Sequence, residues 1–177
     1  MTEPDADHAL AAIVRRFPAA RVLVLGDVIL DRYVAGQAAR LSPEAPIPVL
    51  RPTRSHATLG GAANVALNIA TLGGAAILIG LVGQDIAGAE MAALLGQQPG
   101  IAADLVAVPD RPTTVKTRFL AGQHQILRLD EETTVPADGA TAAALLQRFA
   151  AALDRVDVVV LSDYAKGVLT PRVIRSV

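Results

Sequence analysis

The sequence contains no cysteine and no tryptophan, and only two tyrosines and three phenylalanines in 177 residues. Without cysteine there is no disulfide scaffold, no thiolate zinc site and no cysteine nucleophile, a usage that suits a reducing cytoplasm. A dominant charge is lacking too: 16 basic side chains face 17 acidic ones, for a formal net charge of -1. That balance excludes the broad basic field of a nucleic-acid-binding protein or a polybasic membrane anchor, so any affinity for anions must be local. Lysine is scarce, since 14 of the 16 basic residues are arginine and the exceptions are Lys116 and Lys166. Met1 to His8 carries three acidic residues and no apolar core, and does not read as a signal peptide.

Several motifs are missing as well. Neither lysine follows a glycine, so there is no P-loop, and Arg21–Leu25 is not followed by G-x-G-x-x-G. There is no G-x-S-x-G and no H-E-x-x-H, and His8, His56 and His124 are too dispersed for a metal site by spacing. What is abundant is apolar content: 52% hydrophobic against 19% charged residues excludes disorder and suits one domain rather than two large ones.

Ala57 to Gln84 runs for 28 residues without a formal charge, long enough to raise the question of a membrane span. Its glycine pairs and Asn64 and Asn68 argue for a soluble α/β unit. Gly60-Gly61 reads as a turn, Ala62–Leu72 as a helix, Gly73-Gly74 as its stop and Ala75–Val82 as a buried strand. Val65, Ile69 and Leu72 form the expected core-facing stripe. Elsewhere, Ala9–Phe17 reads as a helix and Arg21–Leu25 as a strand buried on both faces, ending in the polar turn Gly26-Asp27. Arg32 to Leu59, with Pro43, Pro46, Pro48 and Pro52, reads as a small exposed sheet or flap. Leu105–Val108 is a short strand, and Thr113–Leu120 with Gln125–Leu129 a hairpin around the loop Ala121–His124. Ala137–Leu153 is a helix, Val156–Leu161 a second buried strand, and Thr170-Pro171 opens a further helix. The alternation predicts an α/β fold with a doubly wound, mostly parallel sheet and a small β-sheet lid.

Candidate chemistry falls where strands end and helices begin. Asp27 and Asp31 follow the first strand, Asn64 lies in the first turn after Gly60-Gly61, and Asp163 ends the strand from Val156. Carboxylates and an amide on one crevice suit sugar hydroxyls, and a helix start opened by glycines can receive an oxygen-rich ligand closely. Each has a plainer reading: Asp27 as a turn former, Gly60-Gly61 as a simple turn, and alternating Lys116, Arg118 and Arg128 as a solvated face. By the same measure His124 is a loop residue, and Tyr33 and Tyr164 pack with a polar tip outward.

Taken together, the motifs resemble the ribokinase-like (PfkB) carbohydrate kinases, from about Arg21 to the last residue. Gly26–Tyr33, Leu59–Asn68 and Leu81–Asp85 match the general pattern. Arg40–Val49, Pro112–Arg118, Gln125–Asp130 and Leu161–Gly167 narrow the resemblance to the D-glycero-β-D-manno-heptose-7-phosphate kinases. The resemblance implies that Asp31 grips sugar hydroxyls, that Gly60, Gly61 and Asn64 form the sugar-binding turn, and that Asp163 faces the same pocket. It makes the insertion of about residues 32–59 a lid that also clasps a homodimer. Lys116, Arg118, Arg128 and Lys166 are then candidates for the substrate phosphate, because a dianion favours cationic donors.

The implied reaction is transfer of the ATP γ-phosphoryl group, with Mg2+, to O1 of the heptose 7-phosphate, in lipopolysaccharide core biosynthesis. The catalytic aspartate and nucleotide pocket of such kinases are expected beyond Val177, so residues 1–177 read as the N-terminal part of one kinase domain, C-terminally incomplete. A cytoplasmic enzyme without nucleic-acid or membrane partners is expected. Two alternatives stand beside it: a non-catalytic sugar-phosphate binding or dimerisation module, and a related kinase for another sugar.

Overall fold

In the computed structural model, which describes residues 3–177 and their side chains from residue 8 on, the apolar run after Arg21 becomes one of the two interior strands of a parallel sheet. The reading of Met1–His8 lies largely outside the described side chains. The elements in chain order are α1 (Glu3–Val14), β1 (Arg21–Gly26), β2 (Val28–Leu41), β3 (Pro48–Gly61), α2 (Ala62–Thr71), β4 (Ala75–Gly83) and α3 (Ile86–Gly96). They continue with β5 (Ile101–Val108), β6 (Val115–Ala121), β7 (His124–Glu131), α4 (Gly139–Leu153), β8 (Val158–Ser162) and α5 (Pro171–Ile174). One four-stranded sheet has the order β5-β4-β1-β8 and is parallel throughout, and a second has the order β3-β2-β6-β7.

Side chains of β1 alternate between two cores because successive residues of a strand point to opposite faces. Val22 and Val24 join Leu78, the α2 residues Ala62, Ala63 and Ala66, and Met91 and Leu95 of α3. Leu23 and Leu25 join Ile79, Leu81, Leu145 and Phe149 of α4, and Val173 of α5. Helices therefore cover both faces, which is the doubly wound arrangement. Each fully buried Leu stabilises it by roughly 1.5–3 kcal/mol. Among the described residues β8 pairs only with β1, and Val158, Val159 and Leu161, which the sequence pattern marks as buried, are exposed there.

Other details also differ from the sequence reading. The buried stripe of α2 consists of alanines, Val65 and Ile69 pack only partly, and Leu72 is exposed; small side chains let this helix lie close to the sheet. Gly60-Gly61 is no turn but the end of β3, paired with Ile29 and Val28, and runs straight into α2. The hairpin of β6 and β7 closes with Gly122-Gln123 alone, so His124 is already in the strand. α1 begins earlier than expected and is followed by a short 3-10 turn at Phe17–Ala19. Gly139 opens α4 behind an Asp138 cap whose carboxylate accepts from the Thr141 N–H at 2.7 Å. The Thr170 cap and Pro at the first position of α5 are as read. α3, which has no expected counterpart, starts at an Asp85 cap that accepts from the Gly88 N–H at 2.7 Å and from the N–H and hydroxyl of Thr113 at 2.8 and 2.7 Å. Burial opposes ionisation of Asp85, but the bonds from Thr113 and Gly88 outweigh it and hold its carboxyl below the usual range.

The lid is a long hairpin, β2 against β3, extended by β6 parallel to β2 and β7 antiparallel to β6. Its register slips between Ala35 and Gly36, so that Pro52, which has no N–H to give, sits where the ladder is already broken. On the face toward α3, Arg32 forms an ion pair with Glu90.

The two sheets meet at Asp27. The side chain is 1% exposed, and its carboxylate accepts from the backbone N–H groups of Tyr164 (2.8 Å), Lys166 (3.1 Å) and Val168 (3.1 Å). Its own N–H donates to the Ser162 carbonyl at 3.0 Å, and its carbonyl accepts from the Ala62 N–H at 2.9 Å. One residue thus joins the carboxyl ends of β1 and β8 and the first turn of α2. Gly61 is required beside it, since at φ 56° a Cβ there would lie 2.3 Å from the Asp27 carbonyl oxygen. Asp27, expected among the substrate-binding residues, instead spends both carboxylate oxygens on this loop. Asp27→Asn keeps the shape but turns an acceptor into a donor facing N–H groups, and should cost about 2–4 kcal/mol. Thermal unfolding of the protein made from its full gene checks this; an unchanged melting temperature would contradict it.

Candidate functional site

The strand order brings the remaining candidates to the carboxyl ends of β1 and β8 and to one face of the lid, the end of an open α/β sheet where ligands bind. Cross-strand registers place Asp31 opposite Thr58 and Lys116, Lys116 opposite Asp130, Tyr33 opposite His56 and Arg118, and Arg118 opposite Arg128. Residues two apart on a strand share a face, so these side chains form two adjacent rows. Asp31 also lies directly over Gly60: a Cβ there would sit 2.2 Å from Asp31 Oδ2. Any side chain at position 60 would therefore fill the space beneath the carboxylate.

Every cation singled out in the sequence has a carboxylate partner. Arg118 Nη1 donates to Asp31 Oδ1 at 2.5 Å, and its guanidinium lies 5.3 Å from the Tyr33 ring centre, which in turn stacks on His56 at 5.0 Å. Arg128 grips Asp130 with two bonds, at 2.8 and 2.9 Å. Lys116 Nζ donates to Asp130 at 2.9 Å and to Glu132 at 2.8 Å, and Lys166 Nζ donates to Glu132 at 2.8 Å. Asp130 and Glu132, which carried no role in the sequence reading, are thus central to the cluster. The only signal for them was the two-residue spacing of Arg128, Asp130 and Glu132 along β7 and just past its end. Lys116 and Arg118 are well covered, at 15% and 23% side-chain exposure, so the solvated-face reading does not hold for them, whereas Arg128 at 49% is half in water; Lys166 is covered to the same degree as Lys116.

The charges respond accordingly. Bonds from Arg128, then Lys116, hold Asp130 below the usual carboxylate range, and bonds from Lys116, then Lys166, do the same for Glu132. Desolvation works against the Lys116 ammonium, but Glu132 and Asp130 overcome it and raise its pKa. The bond to Asp31 raises Arg118. Arg111, also missed, donates to the carbonyl oxygens of Val135 (2.9 Å) and Lys166, fixing the loop that carries Lys166; burial lowers its pKa, and the nearby Asp27 charge opposes that.

Asn64 is exposed on the first turn of α2. Asp163 is exposed and uses one oxygen on its own loop, accepting from the Ala165 N–H at 2.8 Å. Tyr164 is half exposed rather than packed. The groove lined by Arg21, Ala75, Ala76, Gly100 and Ile101 lies at the opposite, amino ends of the strands and shares no residue with this cluster. Among the described residues no group of three or more His, Asp or Glu side chains is placed to hold a metal ion, and Asp31, Asp130 and Glu132 are taken up by Arg and Lys. The residues present therefore do not build a Mg2+ site, and no step is assigned to one.

Residues 19–175 match the model of the pfkB family of carbohydrate kinases. The chain is 54% identical over 169 residues to the bifunctional protein HldE of Caulobacter vibrioides, covering 96% of this chain and 34% of that protein. With HldE of Granulibacter bethesdensis it shares 50% identity over 161 residues, covering 91% and 33%. The chain thus spans about a third of the length of the curated relatives it matches. Among solved structures, a phosphofructokinase-like protein of Staphylococcus aureus aligns with TM-score 0.67 at 16% identity, over 88% of this chain and 47% of that one. Phosphofructokinase-2 of Escherichia coli aligns with TM-score 0.61 at 20% identity, over 81% and 44%. These structures support the fold, including the second sheet.

Because the Asp130 and Glu132 carboxyls are held low, the stability their pairs add is complete above the usual carboxylate range and is lost as pH falls through the lowered values. The melting difference between wild type and Glu132→Gln should be constant from neutral pH to about 5 and close below about pH 4. A difference that persists in acid would contradict the ion-pair origin.

Proposed function

Since the chain belongs to the pfkB family of carbohydrate kinases, we propose that it is the sugar-binding part of a kinase that phosphorylates D-glycero-β-D-manno-heptose 7-phosphate at O1. The γ-phosphoryl group of ATP, with Mg2+, is the donor, the product is the 1,7-bisphosphate, and the setting is lipopolysaccharide core biosynthesis. The identity to proteins named bifunctional HldE over nearly the whole chain supports the family branch. The observation that carries the substrate reading is the cluster of four cations gathered from β6, β7 and the loop after β8, next to the Asp31–Gly60 contact.

In this reading Asp31, the backbone of Gly60 and Gly61, Asn64 and the free oxygen of Asp163 hold the sugar hydroxyls. Lys116, Arg118, Arg128 and Lys166 serve its phosphate. A carboxylate accepts from two hydroxyls at once and an amide both donates and accepts, which fixes the orientation of a polyol. Positioning of this kind is the larger share of what a phosphoryl-transfer enzyme contributes on its acceptor side. The donor side is assigned to no described residue. We place residues 1–177 in one kinase domain with a lid at about 32–59, working in the cytoplasm as a homodimer clasped through that lid. Supporting the clasp, Leu41, Leu127 and Leu129 on the second sheet and Ile47 in the loop between β2 and β3 are apolar and exposed. No described helix is long and apolar enough to cross a membrane.

The test is turnover by the protein made from its full gene with ATP, Mg2+ and the heptose 7-phosphate. No turnover, or equal turnover with fructose or ribose, would reject the substrate. Asp31→Asn should lower kcat/KM by roughly 10–100-fold, the range of a hydrogen bond to a charged group; an unchanged value would remove Asp31 from the site.

A further inference from the structure

The only two lysines in the sequence end on a single carboxylate. Glu132 Oε2 accepts from Lys116 Nζ and Oε1 from Lys166 Nζ, both at 2.8 Å. The two lysines belong to different parts of the fold and are fixed independently. Lys116 lies within β6 of the lid, with Asp130 at 2.9 Å as a second partner. Lys166 lies in the loop after β8, where its N–H is held by Asp27 and its carbonyl by Arg111. Glu132, by contrast, sits just past the end of β7, outside regular structure, with its side chain 24% exposed. The cations are anchored, and the anion between them is the part free to leave.

We propose that Glu132 is a built-in competitor for the substrate phosphate: it occupies a two-point clamp formed by Lys116 and Lys166, and a dianionic phosphate displaces it into water. The inference rests on the sugar-phosphate reading of the site. Two oxygens of a carboxylate and two of a phosphate have nearly the same separation, so the ammonium groups meet either in the same geometry. A phosphate monoester carries about two charges against one for Glu132, and offers three acceptor oxygens. It therefore wins the exchange, whereas a sugar without phosphate leaves Glu132 in place and gains nothing from the clamp. Selectivity then arises by an internal occupant as well as by attraction. Arg118 and Arg128 are less suited to the clamp, the first being pinned by Asp31 and Tyr33 and the second by two bonds to Asp130.

The test needs neither ATP nor sugar: calorimetric titration of the protein made from its full gene with inorganic phosphate. Glu132→Gln should bind phosphate roughly tenfold more tightly than wild type, the factor carried by about one charge-assisted bond. Glu131→Gln removes the same charge one residue away from the clamp and should stay within about twofold of wild type, and Lys166→Ala combined with Glu132→Gln should lose the gain. Glu132→Asp, which is too short to bridge both lysines, should move affinity in the same direction by a smaller factor and covers the case in which Glu132→Gln does not fold. No gain in Glu132→Gln, or in Glu132→Asp should that variant alone fold, or an equal gain in Glu131→Gln, would overturn the proposal. Turnover of the heptose phosphate without a gain in phosphate affinity would refute the competitor alone, and a gain without turnover would refute the substrate assignment alone.

Discussion

Three backbone N–H groups converging on the buried carboxylate of Asp27 set the geometry on which the rest of the site depends. The loop from Ser162 to Val168 turns sharply, with Ala165 and Gly167 both at positive φ, and has no ladder of its own to hold it. Asp27 supplies the acceptors that the loop lacks. The residue follows β1 directly, so the loop is referenced to the most buried strand of the sheet. Through its carbonyl the same residue starts α2, and through the loop it positions Lys166. A buried carboxylate without such donors would cost several kcal/mol, whereas one saturated by N–H groups is a rigid joint.

Charge at the site is balanced before any ligand arrives. Lys116, Arg118, Arg128 and Lys166 face Asp31, Asp130 and Glu132, so the cluster carries one net positive charge rather than four. In the proposed reading, this reconciles the near-neutral composition with binding of an anion at one place. In that reading binding exchanges partners and does not simply add a pair, which limits the gain in affinity and sharpens the choice of ligand. Because Glu132 touches one lysine on the lid and one in the loop that follows β8 of the main sheet, an exchange there would act at the junction of the two.

Much of this was legible from the residues. The run Arg21–Leu25 reads as a buried parallel strand because apolar residues on both faces have no other economical place, and Thr170-Pro171 reads as a helix start because capping is local. The proline-rich lid follows from what proline cannot do in a ladder. What escaped was set by partners distant in sequence. The alanine face of α2 was hidden because close packing, not side-chain size, decided which face went in. Asp27 has the sequence context of a ligand residue, yet its partners lie some 137 to 141 positions away. Asp130 and Glu132 look like ordinary polar residues at a strand end until the fold brings the two lysines to them.

The most direct measurement is amide hydrogen exchange at Tyr164, Lys166 and Val168 in the protein made from its full gene. Donors locked onto a buried carboxylate exchange only through large opening events, so these three amides should be protected to the same degree as those of Leu23 and Val24 in β1, despite lying in a loop with no strand or helix around them. Exchange as fast as that of the exposed turn residue Gln123 would mean that Asp27 does not hold the loop, and the positioning of Lys166 that follows from it would fall.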